Sequence, residues 1–447
     1  MKLPNTSVPP LATPTVAKVA KRRAAPKKAA AETKVAAAVA AATSAAPASA
    51  SSFVAVSSAA YGKQALPLLG GLTAKAFMQT YWQKKPLLIK QAAPQYIDRF
   101  PLDDLFELAG DDDVESRLVT QRRGKWHLSR GPLDEDVRDA LGPKDWSLLV
   151  QGVNLYDDDA DALLREFRFI PEARLDDLMI SYAVDGGGVG PHFDSYDVFL
   201  LQTQGQRRWR ISDQRDLTLD EDQPLKILKN FVPTQEWVLE PGDMLYLPPH
   251  IAHEGVALGD CITCSIGFRA PTEREITAQF LHAMAEKMER DTGEDRRYQD
   301  PDQPAVTRSA ALPEGLINTT QRLADAVQWG RTDIVQFLGG YLTEPKAHVF
   351  FDSPFRTMKR DTFFKRMLAR GLHLDNRTRM LHDKRALFIN GESIAHDAQG
   401  GREEQELLKK LADQRSVTSK EVVTLAHHSA IVSLWYEWYL AGWIHVA

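Results

Sequence analysis

The segment SYAVDGGGVGPHFDSYDVFLLQTQGQRRWRI, residues 181–211, decides the fold of this 447-residue chain. At its centre, the glycine-rich run Gly-Gly-Gly-Val-Gly-Pro at residues 186–191 leads into a strand-like sequence. Positions i and i+2 of a strand point to the same face, so we expect His192 and Asp194 to lie side by side. One imidazole and one carboxylate supply two of the three ligands of a facial triad for non-haem Fe(II).

The third metal ligand must come from another strand, and His253 is the candidate. It lies in the segment Leu-Pro-Pro-His-Ile-Ala-His-Glu-Gly at residues 247–255. A His-x-Asp pair alone is a weak signal in a chain with 12 histidines and 60 acidic residues. The pattern around the three residues therefore has to support the metal site.

That pattern is an all-β one. Residues 177–268 divide into short strand-like runs separated by turn signals, which predicts a closed or double-sheet unit such as a cupin-type jelly roll. Such a unit aims ligands from separate strands at one interior. We predict a chain-reversing turn at Gln204-Gly205-Gln206. The predicted strands are residues 178–184, 192–203, 207–211, 234–239, 244–247 and 261–268.

Alternation after the predicted turn places Arg207 and Trp209 on one face of their strand. If Trp209 packs inward, Arg207 does too, and a buried guanidinium needs an anionic partner that matches its planar fork. Two partners stay open at this point. One is a structural acid of the chain, and the other, in combination with an iron triad, is the distal carboxylate of 2-oxoglutarate.

Composition indicates an ordinary globular protein, with 43% hydrophobic and 26% charged residues. Two cysteines are too few for a disulfide framework, which favours a reducing compartment. Cys261 and Cys264 have the spacing of a redox or zinc motif, but residues three apart on a strand face opposite sides and no second ligand pair is visible. With no apolar run long enough to span a bilayer, we expect a soluble intracellular protein.

Residues 1–65 form a tail rich in Ala, Pro, Ser and Lys, which predicts disorder. Residues 1–62 carry eight basic residues and one acid, a formal charge of +7, so the remainder carries −12 of the total of −5. Such a tail is either a solvated, dispensable segment or a weak RNA or ribosome attachment. Its prolines argue against the amphipathic helix of a transit peptide.

Beyond residue 270 the pattern becomes helical. Thr272 and Glu275 form a capping box ahead of an apolar stripe, and residues 320–342 form a further helical stretch. The C-terminal part combines helices with a hairpin around Asn390-Gly391, as in a winged helix. No stripe of clustered Arg or Lys suited to reading bases is visible, so we expect no specific DNA binding.

The chain resembles the bacterial cupin-like JmjC oxygenases that hydroxylate an arginyl residue of a large-subunit ribosomal protein. The likeness covers most of the chain after about residue 70. The motifs that carry it, in order, are Trp-Gln-Lys-Lys-Pro at 82–86, Asp-Asp-Leu-Met-Ile-Ser at 176–181, residues 186–194, Tyr-Asp-Val-Phe at 196–199, Arg-Arg-Trp-Arg at 207–210, His-Glu-Gly at 253–255 and Gly-Phe-Arg-Ala-Pro at 267–271.

The resemblance implies an α+β fold. It comprises a double-stranded β-helix of the JmjC/cupin jelly-roll type at residues 66–270, a helical dimerisation region at 271–343 and a winged-helix-like domain at 344–447. It also implies a cytoplasmic homodimer that acts on a ribosomal protein, with the winged-helix-like domain serving docking rather than DNA.

The resemblance assigns Fe(II) to His192, Asp194 and His253, and makes His250 a turn residue because the family's ligand directly precedes Glu-Gly. The cosubstrates are 2-oxoglutarate and O2. Arg207 grips 2-oxoglutarate, with contacts from Ser181 and from Thr263, which stands where the family has asparagine. Asp185 and Tyr196 are candidates by position for holding the substrate arginine, and the alternative for both is ordinary loop surface.

Two other readings remain open. One is a related oxygenase that acts on a histidyl or asparaginyl residue or on a small molecule. The other is a non-catalytic cupin binding module, which would bind metal without 2-oxoglutarate turnover; Arg207 together with a complete triad disfavours it.

Overall fold

The computed structural model describes residues 64–134, 136–290, 296–394, 400–423 and 429–447, so the predicted tail lies outside the described residues except for its last two positions. The strands of the first half are β1 Leu87–Ile89, β2 Ser116–Arg122, β3 Lys125–Arg130, β4 Trp146–Val150, β5 Leu175–Ala183, β6 Val198–Ser212, β7 Gln235–Leu239, β8 Met244–Leu247 and β9 Ala252–Phe268. The helices among them are α1 Ala74–Thr80, α2 Leu102–Ala109 and α3 Asp158–Arg165.

These nine strands form one antiparallel sheet in the order β1-β8-β6-β9-β5-β4-β2-β3, with β7 paired to β6. The sheet therefore begins well before residue 177, where the sequence pattern placed its start. Its core is aromatic: the ring of Phe77 in α1 lies 5.0 Å from Tyr246 and 5.5 Å from Phe199. Both sheet residues are fully buried, so the N-terminal helix closes one face of the barrel.

The predicted turn at residues 204–206 is wrong, because β6 continues through it. The ladder between β6 and β9 runs from Val198 opposite Gly267 to Ser212 opposite Ala252, with register shifts between Gln202 and Gln206. Gly205 has φ of +62°, and a Cβ there would lie 2.0 Å from the Asp260 carbonyl oxygen. Glycine thus forms a bulge against the neighbouring strand instead of a reversal.

The strand predicted from residue 192 is also wrong over its first part. Residues 193–197 are irregular, and β6 begins only at Val198. An isolated antiparallel bridge pairs His192 with His253. This bridge, and not a regular strand, holds the segment against the start of β9.

The second half begins with three helices: α4 Glu273–Arg290, α5 Glu314–Ala326 and α6 Arg331–Thr343. The stretch predicted as one helix at residues 320–342 is therefore two helices, and the Val327 to Gly330 connection separates them. The Thr272 hydroxyl accepts the Glu275 backbone N–H at 3.1 Å, which confirms the predicted N-cap of α4.

The C-terminal domain has a core of its own, in which Trp435, Trp438 and Tyr439 are buried. The predicted hairpin is present, with Asn390 and Gly391 at positive φ between its strands. The elements are α7 Arg360–Arg370, β10 Leu372–Leu374, β11 Met380–His382, β12 Leu387–Ile389, β13 Glu392–Ile394, α8 Arg402–Gln414, β14 Ser416–Val417, α9 Ser419–Val423, α10 Ser429–Leu440 and β15 Ile444–Val446.

The observed order of elements confirms the predicted fold class: an antiparallel β-barrel, then helices, then a winged-helix arrangement. The exact domain boundaries at residues 270 and 343 stay predictions. Within the described ranges, no helix combines the length and the apolar character needed to cross a membrane.

Candidate active site

His192, Asp194 and His253 come together at one point of the barrel. A ligand atom from each lies within 4.8 Å of the others, and no other group of three such side chains among the described residues does so. His253 Nε2 lies 3.7 Å from Asp194 Oδ2, and the two imidazole centroids are 4.2 Å apart. Two imidazoles and one carboxylate on one side of a shared point are the donor set of the facial triad.

Backbone carbonyl groups fix the orientation of both imidazoles. Nδ1 of His192 lies 3.0 Å from the Gly190 carbonyl oxygen, and Nδ1 of His253 lies 2.9 Å from that of Ile251. A carbonyl only accepts, so each Nδ1 carries the proton and each Nε2 lone pair is free for a metal. Burial, then the neighbouring His192, lowers the pKa of His253 to about 4, so this ligand is neutral at pH 7. The three residues therefore fit a divalent metal.

Backbone hydrogen bonds also hold the segments that carry His192 and His253 together. The His192 N–H donates to the His253 carbonyl at 2.9 Å, and the His253 N–H donates back at 2.7 Å. The glycines on either side allow this approach: a Cβ on Gly188 would lie 2.5 Å from the Gly255 carbonyl oxygen. A Cβ on Gly255 would lie 2.8 Å from the Trp209 ring. His250, with φ of +65°, is the turn residue that the sequence predicts, and its N–H donates to the Asp194 carbonyl at 2.8 Å.

Arg207 and Trp209 both face the interior, as alternation predicts, and are 4% and 5% exposed. The Arg207 guanidinium lies 5.4 Å from the Trp209 ring, whose centroid is 6.0 Å from that of His253. The Trp209 ring thus lies near both the Arg207 guanidinium and the His253 imidazole. On the other face of the strand, Arg210 pairs with Glu254.

No acid of the described residues pairs with Arg207. Its Nη1 donates to the hydroxyl oxygens of Ser181 at 3.0 Å and Thr263 at 3.1 Å, while its Nε–H is buried without a partner. Burial lowers the pKa of Arg207, and the charged groups that act on it include no carboxylate. The structural-acid reading is therefore not supported. A buried cation with two neutral partners and an unused N–H is suited to an anionic ligand.

Ser181 and Thr263 lie directly opposite each other on β5 and β9, and both are buried beside Arg207. Gln202, which the sequence pattern did not single out, completes this cluster: its Oε1 accepts a hydrogen bond from the Thr263 hydroxyl at 2.9 Å. Its one sequence signal is that it interrupts the apolar run at residues 198–201 with an amide. This residue is fully buried, so it belongs to the interior and not to a turn.

The two predicted substrate contacts lie in different places. Tyr196 follows Asp194 by two residues and is 41% exposed, and desolvation and the Asp194 carboxylate raise its pKa. Asp185 instead accepts a hydrogen bond from Lys144 Nζ at 2.9 Å and one from the Gly259 N–H at 3.1 Å. Gly259 is six residues along β9 from His253, about 20 Å for an extended strand. The structure brings Tyr196 close to the triad but gives no contact that joins Asp185 to it.

Comparisons with known proteins agree with this geometry. A family model described as "JmjC domain" matches residues 162–276, which contain the triad, Arg207 and most of the sheet. A second model, "ROXA-like winged helix", matches residues 321–445. The fold and the metal centre thus define the chain as a JmjC-type oxygenase.

Relatives and solved structures narrow the class. The ribosomal protein uL16 3-hydroxylase of Escherichia coli is 40% identical over 282 residues, which are 62% of this chain and 73% of that protein. A probable ribosomal oxygenase of Haemophilus influenzae is 41% identical over 205 residues, 45% of this chain and 50% of that protein. The chain belongs to the JmjC ribosomal oxygenases, the family of the E. coli uL16 hydroxylase.

The structural similarity extends over nearly the whole of one relative. The X-ray structure of E. coli YcfD aligns with a TM-score of 0.72 and 32% identity, covering 84% of this chain and 98% of that one. The same ribosomal oxygenase in complex with cobalt and 2-oxoglutarate aligns with a TM-score of 0.70 and 31% identity, with the same coverage. The fold similarity therefore includes the barrel, the helical region and the winged helix.

Proposed function

We propose that this protein is an Fe(II)- and 2-oxoglutarate-dependent oxygenase that hydroxylates the β-carbon of an arginyl residue in a large-subunit ribosomal protein, with uL16 as the first candidate. The observation that carries the proposal is the buried Arg207 guanidinium, which has no acidic partner and shares the barrel interior with His192, Asp194 and His253. Metal ligands alone would fit many enzymes. The free cation selects a cosubstrate that carries a carboxylate at its far end.

His192, Asp194 and His253 would hold Fe(II) through two Nε2 atoms and one carboxylate oxygen. When bound, Fe(II) with 2-oxoglutarate and O2 supplies the oxidising power, giving succinate, carbon dioxide and a hydroxylated side chain. Arg207 orients the cosubstrate by its distal carboxylate, and Ser181 and Thr263 hold the guanidinium in place. The buried Trp209 ring, which lies near both Arg207 and His253, would help to exclude water from the site.

Substrate binding uses the exposed mouth of the site. Tyr196, two residues from a metal ligand, offers an aromatic face to the substrate arginine. Asp185 would contribute only to a more distant part of the substrate protein, because its contacts are Lys144 and Gly259. The formal charge of −12 after residue 62 favours encounter with a basic ribosomal protein and does not by itself specify it.

We also propose a cytoplasmic homodimer joined through residues 271–343. No side chain of α4 or α5 is fully buried within the chain. Leu281, Met288, Leu323 and Trp329 are 48–59% exposed, and a second copy of the chain would cover these apolar side chains. Cytoplasmic ribosomal proteins as substrates, and only two cysteines, both free and buried, favour the cytoplasm.

The test is turnover by protein loaded with Fe(II) under nitrogen and then exposed to air. Succinate and a mass gain of one oxygen atom are measured on a panel of ribosomal proteins that includes uL16. We expect one protein to be oxidised at an arginine, and the variants His192→Ala and Arg207→Ala to lose the reaction. Peptide mapping assigns the residue.

Oxidation at a histidine or asparagine would favour the related oxygenase instead. One relative supports keeping this alternative: an Aedes aegypti protein named "bifunctional lysine-specific demethylase and histidyl-hydroxylase NO66" is 27% identical over 206 residues. This identity is lower than the 40% shared with the E. coli hydroxylase. If the protein binds metal but neither binds nor consumes 2-oxoglutarate, the non-catalytic binding module is the interpretation that remains.

A further inference from the structure

Gln202 forms a hydrogen bond with Thr263, one of the two residues that hold the Arg207 guanidinium. Its side chain is fully buried on β6, directly opposite Thr263 on β9. The amide nitrogen Nε2 donates to the Gln204 carbonyl at 2.7 Å, and the amide oxygen Oε1 accepts from the Thr263 hydroxyl at 2.9 Å. Both ends of the amide are therefore committed, and the carbonyl at Gln204 fixes which end faces Thr263.

The directions of these hydrogen bonds leave one arrangement. A guanidinium only donates, so the Thr263 hydroxyl oxygen must accept from Arg207 Nη1 and must send its own proton elsewhere. Gln202 Oε1 takes that proton. Ser181 does the same on the other side: its oxygen accepts from Nη1 at 3.0 Å, and its hydroxyl donates to the Thr263 carbonyl at 3.4 Å. Both hydrogens of Nη1 are thus used by the protein.

What remains is the other edge of the guanidinium. Arg207 Nε–H has no partner, and no hydrogen bond between described residues uses Nη2. Nε and Nη2 together form one of the two forks with which arginine binds a carboxylate bidentately. We call the hydrogen-bond chain from Gln202 through Thr263 to Arg207 Nη1 the relay. Because it occupies Nη1, the fork left for a ligand is the one formed by Nε and Nη2.

We propose that Gln202 is a positioning residue for the cosubstrate: by accepting the Thr263 proton, it holds Arg207 with its Nε/Nη2 fork aimed at the distal carboxylate of the 2-oxo acid. This inference rests on the proposed function of Arg207. Gln202 acts only through Thr263, and it does so as a neutral group. An acid in its place would pair with the guanidinium and compete with the ligand's carboxylate.

The bulge in β6 makes the relay possible. Gln202 and Arg207 are five residues apart, so regular alternation would point them to opposite faces of the strand. The register shifts between Gln202 and Gln206 change the phase by one residue, and both side chains reach the interior. Gln204, whose carbonyl anchors the Gln202 amide, lies within the bulge itself.

The test compares Gln202→Leu with Gln206→Leu in the full-length protein. Gln206 is on the same strand but exposed, so it is the matched control. Binding of 2-oxoglutarate to Co(II)-loaded protein is measured by equilibrium dialysis under nitrogen, beside binding of 2-oxobutyrate, which lacks the distal carboxylate. Losing alignment of a charge-assisted hydrogen bond predicts about tenfold weaker 2-oxoglutarate binding for Gln202→Leu. Binding of 2-oxobutyrate and of Co(II), and all binding by Gln206→Leu, stay unchanged.

The preference for the dicarboxylate over the monocarboxylate is the readout that a merely damaged pocket would not change, because damage weakens both acids alike. Equal loss of both acids, or 2-oxoglutarate binding within twofold of the wild type, overturns the relay. Gln202→Met repeats the test if Gln202→Leu fails to fold. If the wild-type protein itself does not bind 2-oxoglutarate, the proposed function fails, not only the role of Gln202.

A double-mutant cycle tests whether Gln202 acts through Thr263. Thr263→Val removes the hydroxyl that joins Gln202 to Arg207. The relay predicts that the double variant binds 2-oxoglutarate no more weakly than Thr263→Val alone. Losses that add would mean that Gln202 acts by another route, and this outcome overturns the proposal.

Discussion

The barrel interior buries polar side chains, whereas the helical region exposes apolar ones. Inside the barrel, Gln202, Arg207 and Thr263 are at most 4% exposed, and hydrogen bonds connect them. In the helical region, by contrast, Met288 and Leu323 are 58% and 59% exposed. The barrel thus encloses a connected polar cluster, whereas the helices expose apolar side chains. Changes in the barrel should alter ligand binding, and changes in the helices should alter assembly.

The largest expected effect is the loss of a metal ligand. His192→Ala removes one Nε2 donor from a set of three, so we expect Fe(II) or Co(II) binding to fall sharply and turnover to disappear. Co(II) absorption and succinate release measure the two effects. The control is His250→Asn, since His250 occupies a positive-φ turn that asparagine tolerates. If His250→Asn lost metal binding as completely as His192→Ala, the loss would reflect damage to the neighbouring backbone, and the role of His192 as a ligand would not be supported.

The substitution Arg207→Met should have the next largest effect. Removing the charged partner of a buried carboxylate costs about 2–5 kcal/mol of binding, so 2-oxoglutarate should bind much more weakly while Co(II) binding persists. Because the variant also removes a buried cation that has no acidic partner, the ligand-free protein should be at least as stable as the wild type by thermal unfolding. Arg210→Met, on the opposite face of the strand, should leave 2-oxoglutarate binding unchanged.

Gly255→Ala tests the close packing behind His253. The added Cβ would lie 2.8 Å from the nearest Trp209 ring atoms, and overpacking of this kind costs about 1–3 kcal/mol. We expect a lower unfolding midpoint and weaker metal binding, because Trp209 packs beside His253. Gly142→Ala is the control, since a Cβ added there would have no other atom within 4 Å. Wild-type stability of Gly255→Ala would contradict the packing argument.

The helical region should respond through assembly alone. Leu323→Asp places a charge on the exposed face of α5, and we expect light scattering to show a shift from dimer to monomer. Co(II) and 2-oxoglutarate binding should not change, because no side chain of α5 contributes to the barrel interior. Gln321→Asp, at an exposed polar position on the same helix, is the control. A wild-type protein that is already monomeric would refute the dimer proposal.

The sequence predicted what depends on residue type and simple periodicity, and missed what depends on irregular backbone. His192, Asp194 and His253 were identifiable by chemistry and motif, although the bridge that joins them is not a regular strand. Arg207 and Trp209 followed from alternation within a short run. Gln202 could not be placed, because the bulge at Gly205 changes the phase of the strand and glycine equally permits a turn.

The smallest expected effect is the part of the pH dependence of stability that the buried His253 produces. Burial, then His192, lowers the pKa of His253 from 6.5 to about 4. The unfolded chain therefore takes up a proton between those pH values before the folded chain does, and the stability of the metal-free protein should fall as pH drops below 6.5. The slope is bounded by about 1.4 kcal/mol per pH unit. Between pH 7.0 and 5.5 we expect a loss of about 1 kcal/mol, measured by urea unfolding in the presence of a chelator.

His253→Asn should remove this part of the slope, because the variant has nothing to protonate at that position. The matched control is His282→Asn in α4, where the side chain is 63% exposed and should leave the slope as in the wild type. Adding Co(II) to the wild-type protein should steepen the dependence, since the metal binds only the neutral imidazoles. If His253→Asn keeps the full wild-type slope in the chelator, other groups such as His373, whose pKa burial also lowers, cause the slope. The buried, neutral state of His253 in the metal-free barrel is then refuted.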